Sequence, residues 1–134
     1  MTGKPNNLIK VLIVDDDATV LMKTAAVLEK ANYGVTKASG GKEALKILNN
    51  NYMPNAIILD RQMPDMSGDH VLMQIRDNER TKSIPVIMLT GDKNVSDVST
   101  CLELGANDYI VKPFEPENLL LRLGKIFRRG QKEK

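Results

Sequence analysis

The stretch VLIVDDDATVLMKTAAVLEK, residues 11–30, decides the fold class of this chain. Its first four residues are all apolar and rich in valine and isoleucine, as in a parallel strand that helices cover on both faces. A helix is predicted from Ala18, because Leu21, Ala25 and Leu28 then recur on one of its sides. The stretch therefore predicts a strand that leads directly into an amphipathic helix.

Four further strand and helix units follow the first along the chain. Their strands are predicted at residues 35–38, 56–59, 86–89 and 109–111. Their helices are predicted at about residues 42–50, 68–78, 95–104 and 116–127. The second strand is the least apolar and is predicted to lie at an edge. Strict alternation indicates right-handed crossovers and an α/β fold, an open, doubly wound parallel sheet of five strands, since five units are too few for an eight-stranded barrel.

Length and composition indicate one domain with a buried core. The chain has 134 residues, of which 42% are hydrophobic and 27% charged. Its net charge of +2 is too small to indicate direct binding to nucleic acid. The sequence contains neither a signal peptide nor an apolar run of about 18 residues, so we expect a cytoplasmic protein without a membrane partner. The single cysteine, Cys101, is predicted to be a small buried side chain.

The predicted elements divide the chain into three parts. Residues 1–9 are expected to form a leader, residues 10–127 the domain, and residues 128–134 a basic tail or linker. Arginine and lysine crowd the last seven residues, and such a charged end is usually solvated. We therefore expect the chemistry of this chain to lie within the central part.

Polar residues stand at the ends of four predicted strands. Asp15 and Asp16 follow the first strand, Asp60 the third, Thr90 the fourth and Lys112 the fifth. In an open α/β sheet, ligands bind beyond the carboxyl ends of the strands. We therefore expect these five side chains to converge on one rim of the sheet.

The residue types at this rim suit phosphoryl chemistry. Three neighbouring carboxylates repel one another unless a cation neutralises them, and oxygen ligands of this kind suit Mg²⁺. Lys112 and Thr90 can hold two oxygens of a phosphoryl group while a carboxylate attacks phosphorus. Cys101 and His70 lie in different predicted helices, so no cluster of cysteine and histidine competes for zinc. The sequence has no glycine-rich phosphate loop, so ATP is not expected to be the direct donor.

Five short motifs lie at or near the predicted strands. They are Asp15-Asp16, the segment DRQMPDMSG at residues 60–68, Thr90-Gly91, Gly105-Ala106 and Lys112-Pro113-Phe114. With these motifs the chain, from about residue 10 to residue 127, resembles the receiver domain of two-component response regulators and its chemotaxis members in particular. The resemblance implies a flavodoxin-like fold with the strand order 2-1-3-4-5. It also implies a cis bond between Lys112 and Pro113.

The resemblance further implies a role for each residue of the rim. The implied roles are phosphoacceptor for Asp60, metal ligands for Asp15, Asp16, Asp60 and the backbone carbonyl of Gln62, switch hydroxyl for Thr90, phosphate-binding ammonium for Lys112, and aromatic switch for Tyr109. The implied function is a phosphorylation-activated switch rather than an enzyme. It takes part in its own Mg²⁺-dependent phosphotransfer and autodephosphorylation.

The resemblance also implies partners. A sensor histidine kinase or a phosphotransfer protein is the expected phosphohistidine donor. A changed surface of the fourth helix, the fifth strand and the fifth helix is expected to control a downstream effector or an output domain. Phosphorylation-dependent homodimerisation is left open, as are the cognate kinase and the lifetime of the phosphoryl group.

Three alternatives compete with this interpretation. In a haloacid-dehalogenase-like phosphatase, Asp15 is the nucleophile and Asp17 the general acid, because residues 15–19 also fit the pattern D-x-D-x-T. That function leaves Asp60 without a role, and helix initiation explains Asp17. A vestigial interaction module is the second alternative, and the complete set of polar rim residues argues against it. The third is a DNA-binding regulator of which this chain is only one part, since no helix-turn-helix fits after Phe127.

Overall fold

The structure, a computed structural model, describes residues 8–91 and 95–132. Five strands and five helices alternate along this part of the chain. In order they are β1 (Lys10–Val14), α1 (Ala18–Lys30), β2 (Gly34–Ala38), α2 (Gly41–Asn49), β3 (Ala56–Asp60), α3 (Gly68–Asp77), β4 (Val86–Thr90), α4 (Val95–Glu103), β5 (Asp108–Val111) and α5 (Pro116–Lys132).

The five strands form one parallel sheet in the order β2-β1-β3-β4-β5. This arrangement confirms the predicted fold class and strand order. The second strand lies at an edge and is only partly buried, as its weaker apolarity predicts. All five residues of β3 and of β4 are buried, because helices cover both faces of these central strands.

Successive residues of each strand pack into two separate layers of core. In β1, Val11 and Ile13 pack with residues of α1 and α5. Leu12 and Val14 face the other side and pack with residues of α2 and α3. The buried Cys101 of α4 belongs to this second layer, which confirms that it is a small buried side chain. The alternation follows from the two-residue period of a strand.

The last helix is longer than the sequence pattern predicts. Helix α5 continues to Lys132, whereas the pattern predicts an end near residue 127. The backbone of residues 128–132, assigned to a basic tail above, is thus helical, although the domain boundaries themselves stay predictions. Most of the predicted leader, residues 1–7, and the last two residues lie outside the described ranges. Within those ranges, no helix has both the length and the apolar character that a membrane crossing requires.

Arg76 of α3 ties together three segments at the amino-end side of the sheet. Its guanidinium donates to the carbonyl oxygens of Lys82 and Ile84 at 3.1 and 2.8 Å. It also donates to the carbonyl oxygen of Gly105, at 3.0 and 2.8 Å, and to Oδ1 of Asn107 at 3.0 Å. Burial lowers the pKa of Arg76. One side chain thus fixes the connection into β4 and the turn into β5.

Replacing Arg76 by methionine is expected to lower the free energy of unfolding by about 2 kcal/mol, because it removes the donor to the partly buried carbonyl oxygens of Ile84 and Gly105. Urea unfolding followed by circular dichroism measures the loss. Arg80→Met is the matched control, since in the described part of the chain Arg80 donates to a single backbone oxygen, that of Leu48. Equal free energies of unfolding for the two variants would show that Arg76 does not stabilise the connection into β4 and the turn into β5.

Candidate functional site

The carboxyl ends of the central strands hold the predicted rim residues side by side at one edge of the sheet. Backbone hydrogen bonds continue one residue beyond the strands, from Arg61 N–H to the carbonyl of Leu89 at 2.8 Å. A second bond runs from Lys112 N–H to the carbonyl of Thr90 at 2.7 Å. Residues that follow separate strands are therefore held side by side above the carboxyl edge of the sheet.

The three acids and the lysine meet at this edge, as predicted. Carboxylate oxygens of Asp15, Asp16 and Asp60 lie within 4.8 Å of one another. The Nζ atom of Lys112 lies 2.9 Å from Oδ2 of Asp15 and 3.1 Å from Oδ1 of Asp60. Thr90 is buried at the end of the neighbouring strand. The structure therefore brings together acids and an ammonium that are up to about a hundred residues apart in sequence, with Thr90 at the end of the adjacent strand β4.

The crowding of charges changes the protonation of this cluster. Burial raises the pKa of Asp60 from its ordinary value of 3.8 to about 6, and the charge of Asp15 acts in the same direction, while Lys112 opposes both. Burial acts to lower the pKa of Lys112, but the hydrogen bond and charge of Asp15 and the charge of Asp60 outweigh it and raise that pKa. The cluster thus holds more negative charge than one lysine neutralises.

The donor set fits a hard divalent cation. Oδ2 of Asp15 is buried, and the Lys112 ammonium is paired with it at 2.9 Å. All three acidic side chains offer oxygen, the ligand atom that Mg²⁺ prefers. The cluster could therefore bind such an ion. A ligand role for the backbone carbonyl of Gln62 stays a prediction.

Asp17 starts helix α1 and is not directed at the cluster. Its Oδ1 atom accepts hydrogen bonds from the backbone N–H groups of Thr19 and Val20 at 2.9 and 3.2 Å. Asp17 is thus an N-cap, which satisfies amide groups that have no partner within the helix. This geometry supports helix initiation over the general-acid role that the phosphatase alternative requires.

The loop between β3 and α3 closes tightly behind Asp60. The N–H of Gly68 donates to the carbonyl oxygen of Arg61 at 2.8 Å. A Cβ atom on Gly68 would overlap the carbonyl oxygen of Asp60 and lie 2.8 Å from Cα of Arg61. Ser67 then caps α3 by accepting from His70 N–H at 3.2 Å. The glycine that ends the D-x-x-M-P-x-x-x-G motif is therefore required by close packing of backbone on backbone.

A residue of this loop also caps another helix. The carboxylate of Asp65 accepts from the backbone N–H groups of Gly41 and Lys42 at 3.3 and 3.0 Å. These hydrogen bonds, that of Lys42 foremost, lower the pKa of Asp65. Helix α2 receives no capping bond from its own N-cap residue, Gly40. Asp65 thus fastens the loop to α2, a contact that sequence analysis missed.

Tyr109, the implied aromatic switch residue, lies in β5. Its side chain is partly buried against the core layer of α2, α3 and α4. It borders a cavity of about 360 Å³ that Phe114, Asn118 and Arg122 also line. Arg122 donates to Oδ1 of the neighbouring Asp108 at 2.6 Å and to the carbonyl oxygen of Tyr109 at 3.0 Å. Space therefore exists beside Tyr109.

The peptide bond between Lys112 and Pro113 is cis, as the resemblance implies.

Comparison with protein families and curated proteins identifies a shared domain. A family model described as the response regulator receiver domain matches residues 11–124. The probable transcriptional regulator ycf27 of Guillardia theta is 43% identical over 123 residues, which are 92% of this chain and 47% of that protein. The transcriptional regulatory protein ResD of Bacillus subtilis (strain 168) is 39% identical over 125 residues, 92% of this chain and 50% of that protein. The chain thus spans about half the length of these relatives.

Solved structures share the whole fold. A response regulator receiver domain protein (CheY-like) from Methanospirillum hungatei JF-1 has a TM-score of 0.86 and 31% identity, over 96% of this chain and all of that one. Chemotaxis response regulator CheY4 of Vibrio cholerae has a TM-score of 0.83 and 32% identity, over 90% and 99%. The receiver domain of sensor histidine kinase PA1611 from Pseudomonas aeruginosa PAO1, solved with a magnesium ion in its active site cleft, has a TM-score of 0.80 and 28% identity, over 89% and 97%.

Proposed function

Because the chain belongs to the family of response regulator receiver domains, we propose that it is a signalling switch that is activated when Asp60 accepts a phosphoryl group. Membership of the family implies phosphorylation-dependent two-component signalling. The observation that carries the assignment of the site is the position of the Lys112 ammonium, within 3.1 Å of the carboxylates of both Asp15 and Asp60. Asp60 is the acid of this cluster that ends the central strand β3.

Each rim residue has a defined part in the proposed transfer. Asp15, Asp16, Asp60 and the backbone carbonyl of Gln62 are the proposed ligands of Mg²⁺, which supplies positive charge for phosphoryl oxygens. A carboxylate oxygen of Asp60 forms a bond to phosphorus while the bond from phosphorus to the imidazole nitrogen of the donor breaks. The remaining two groups, Lys112 Nζ and the Thr90 hydroxyl, donate to phosphoryl oxygens.

The proposed partners follow from family membership. The phosphoryl donor is a phosphohistidine of a sensor histidine kinase or of a phosphotransfer protein. The protein itself catalyses no reaction on another substrate and only assists the formation and hydrolysis of its own aspartyl phosphate. Its proposed targets are an effector or an output domain, with homodimerisation as one form of the output. A cytoplasmic location stays a prediction.

Incubation with acetyl phosphate and Mg²⁺, followed by measurement of the intact mass, tests the proposal. The expected result is the gain of one phosphoryl group, mapped by peptide analysis to Asp60, and EDTA should prevent it. Incorporation that proceeds unchanged in EDTA would contradict the proposed dependence on Mg²⁺.

The roles of Asp16 and Lys112 can be separated by metal binding. Asp16→Ala should weaken Mg²⁺ binding about tenfold, because it removes an oxygen donor from the acidic cluster. Lys112→Ala should leave Mg²⁺ affinity largely intact, since it removes no oxygen ligand, and should instead slow phosphorylation. Isothermal titration calorimetry measures both affinities. Equal losses of affinity in the two variants would show that the roles are wrongly divided.

Phosphorylation is expected to change the packing of Tyr109. A phosphoryl group that carries about −1.5 to −2 charge replaces the single carboxylate charge of Asp60 and gives Thr90 a new acceptor, so Thr90 should move toward it and free space for Tyr109. Amide NMR spectra with and without beryllofluoride and Mg²⁺ measure the change. Shifts should extend from Asp60 to Tyr109 and to α4. Shifts confined to the rim would disprove this switching surface and leave phosphorylation itself intact.

A further inference from the structure

Arg61 directly follows the proposed phosphoacceptor, and its backbone is fixed on both sides. Its N–H donates to the carbonyl oxygen of Leu89 in β4 at 2.8 Å. Its own carbonyl oxygen accepts from Gly68 N–H, also at 2.8 Å. The first bond holds Arg61 to the sheet, and the second holds it to the first residue of α3. The backbone at Arg61 therefore determines where the chain leaves β3.

The side chain of Arg61 adds a third connection, to Asp69 in the first turn of α3. Nε of Arg61 lies 3.0 Å from Oδ1 and 3.3 Å from Oδ2 of Asp69, and Nη2 lies 3.1 Å from Oδ2. The two side chains are only 14% and 27% exposed. A guanidinium that binds both oxygens of a partly buried carboxylate is held in a defined orientation, unlike a single ion pair at the surface. Asp69 also interacts favourably with the positive end of the helix.

Together these contacts close the loop of residues 62–67 at both ends. The loop begins directly after Arg61 and ends before Gly68, so the pair of Arg61 and Asp69 spans it. The loop carries the backbone carbonyl of Gln62, a proposed metal ligand, and it starts two residues after Asp60. Movement of the loop ends would therefore displace both groups, and displacements of about 1 Å can slow a reaction about 100-fold.

We propose that Arg61 is a positioning residue for phosphoryl transfer, an inference that rests on the function proposed above. With Asp69 it forms a clasp, defined as the two-point pair between these side chains, that orients the Asp60 carboxylate and the carbonyl of Gln62. The clasp acts through the backbone of the loop. It therefore governs the maximal rate of phosphorylation and the concentration of Mg²⁺ that this rate requires.

The experiment measures phosphorylation by acetyl phosphate in Arg61→Met, Asp69→Asn and the double variant. Each single variant should lower the rate at saturating donor about tenfold and raise the Mg²⁺ concentration for half-maximal rate. The double variant should be no slower than Arg61→Met, because both changes break the same clasp. Arg61→Lys should lie between the wild type and Arg61→Met, since an ammonium cannot form the planar two-point pair.

Arg76→Met is the matched control for lost stability. It also removes an arginine that makes several hydrogen bonds, but at the opposite end of the sheet. Its rate and Mg²⁺ dependence should equal those of the wild type at a temperature where both are folded. An equal loss of rate in Arg76→Met, or a wild-type rate in Arg61→Met, would overturn the clasp.

The wild-type protein separates failure of the clasp from failure of the proposed function. If the wild type incorporates phosphate at Asp60 and Arg61→Met does so equally fast, only the clasp is wrong. If the wild type incorporates none, or incorporates it at another residue, the proposed function fails and the clasp fails with it.

Discussion

Replacing Asp60 by asparagine is expected to lower phosphoryl incorporation from acetyl phosphate by about 100-fold or more at saturating Mg²⁺. The carboxylate oxygen of Asp60 is the proposed nucleophile, and the neutral amide oxygen of asparagine is a far weaker one. Asparagine has nearly the same size, so it preserves the packing at the end of β3. Intact mass measured over a time course gives the rate for each protein.

The same substitution should stabilise the protein without metal at neutral pH, which excludes misfolding as the cause of lost phosphorylation. The pKa of Asp60 is about 6 in the folded protein against an ordinary 3.8, so the folded state binds the proton more tightly than the unfolded chain. The stability that protonated Asp60 contributes is therefore lost as pH rises through this interval. At a pH above the pKa of Asp60, its charged carboxylate destabilises the fold. The free energy of unfolding of Asp60→Asn should then be higher than that of the wild type by about 1–2 kcal/mol.

Urea unfolding in EDTA at pH 4 and pH 7 measures this difference, which should be larger at pH 7. Asp65→Asn is the matched control for phosphorylation, because Asp65 lies in the same motif but caps α2. It should retain incorporation near the wild-type rate. Incorporation at an unchanged rate in Asp60→Asn would show that another residue is the nucleophile. A phosphoryl group that maps to Asp15 would favour the phosphatase alternative.

Replacing Gly68 by alanine is expected to lower the free energy of unfolding by about 3 kcal/mol. The new methyl group would overlap the carbonyl oxygen of Asp60, and backbone atoms cannot move aside as a flexible side chain can. Relief of this overlap requires α3 or the end of β3 to shift. The variant should therefore also be phosphorylated more slowly than the wild type. Urea unfolding followed by circular dichroism measures the loss of stability.

Gly91→Ala is the matched control for this substitution. Gly91 lies at the same rim, after Thr90, and, its chain neighbours aside, a Cβ atom there meets no atom of residues 8–91 and 95–132 within 4 Å. Its unfolding free energy should stay within about 0.5 kcal/mol of the wild-type value. If Gly68→Ala is as stable as Gly91→Ala, the close contact between Gly68 and the backbone of Asp60 does not constrain the loop.

The sequence predicts those features of the fold that depend on residues close together along the chain. The strands β1, β3 and β4 are recognisable because both faces of each are covered, which makes their apolar runs continuous. The meeting of Asp15, Asp60 and Lys112 is predictable because the carboxyl ends of parallel strands share one edge. The order of the strands in the sheet is implied only by the family resemblance, since apolar patterns do not identify which strands are adjacent.

Contacts between distant segments could not be predicted in this way. Asp65 caps α2 from 24 residues away, and Arg76 reaches the carbonyl of Gly105 from 29 residues away. Both depend on how loops approach in three dimensions, and neither leaves a periodic pattern. The sequence pattern predicts too early an end for α5, because the basic residues after Phe127 resemble a solvated tail, although arginine and lysine are good helix formers.

The sheet divides the interior of this protein into two compartments that pack independently. Adjacent residues of β5 belong to different sides, with Tyr109 packed against the layer of α2, α3 and α4, and Ile110 against that of α1 and α5. Substitutions in different compartments share few neighbours, so their effects on stability should add, whereas those within one compartment should couple. Over evolutionary time, residues beneath α1 can then diversify without compensating changes around Tyr109. A population of related sequences should accordingly show covariation within each layer and little between the two.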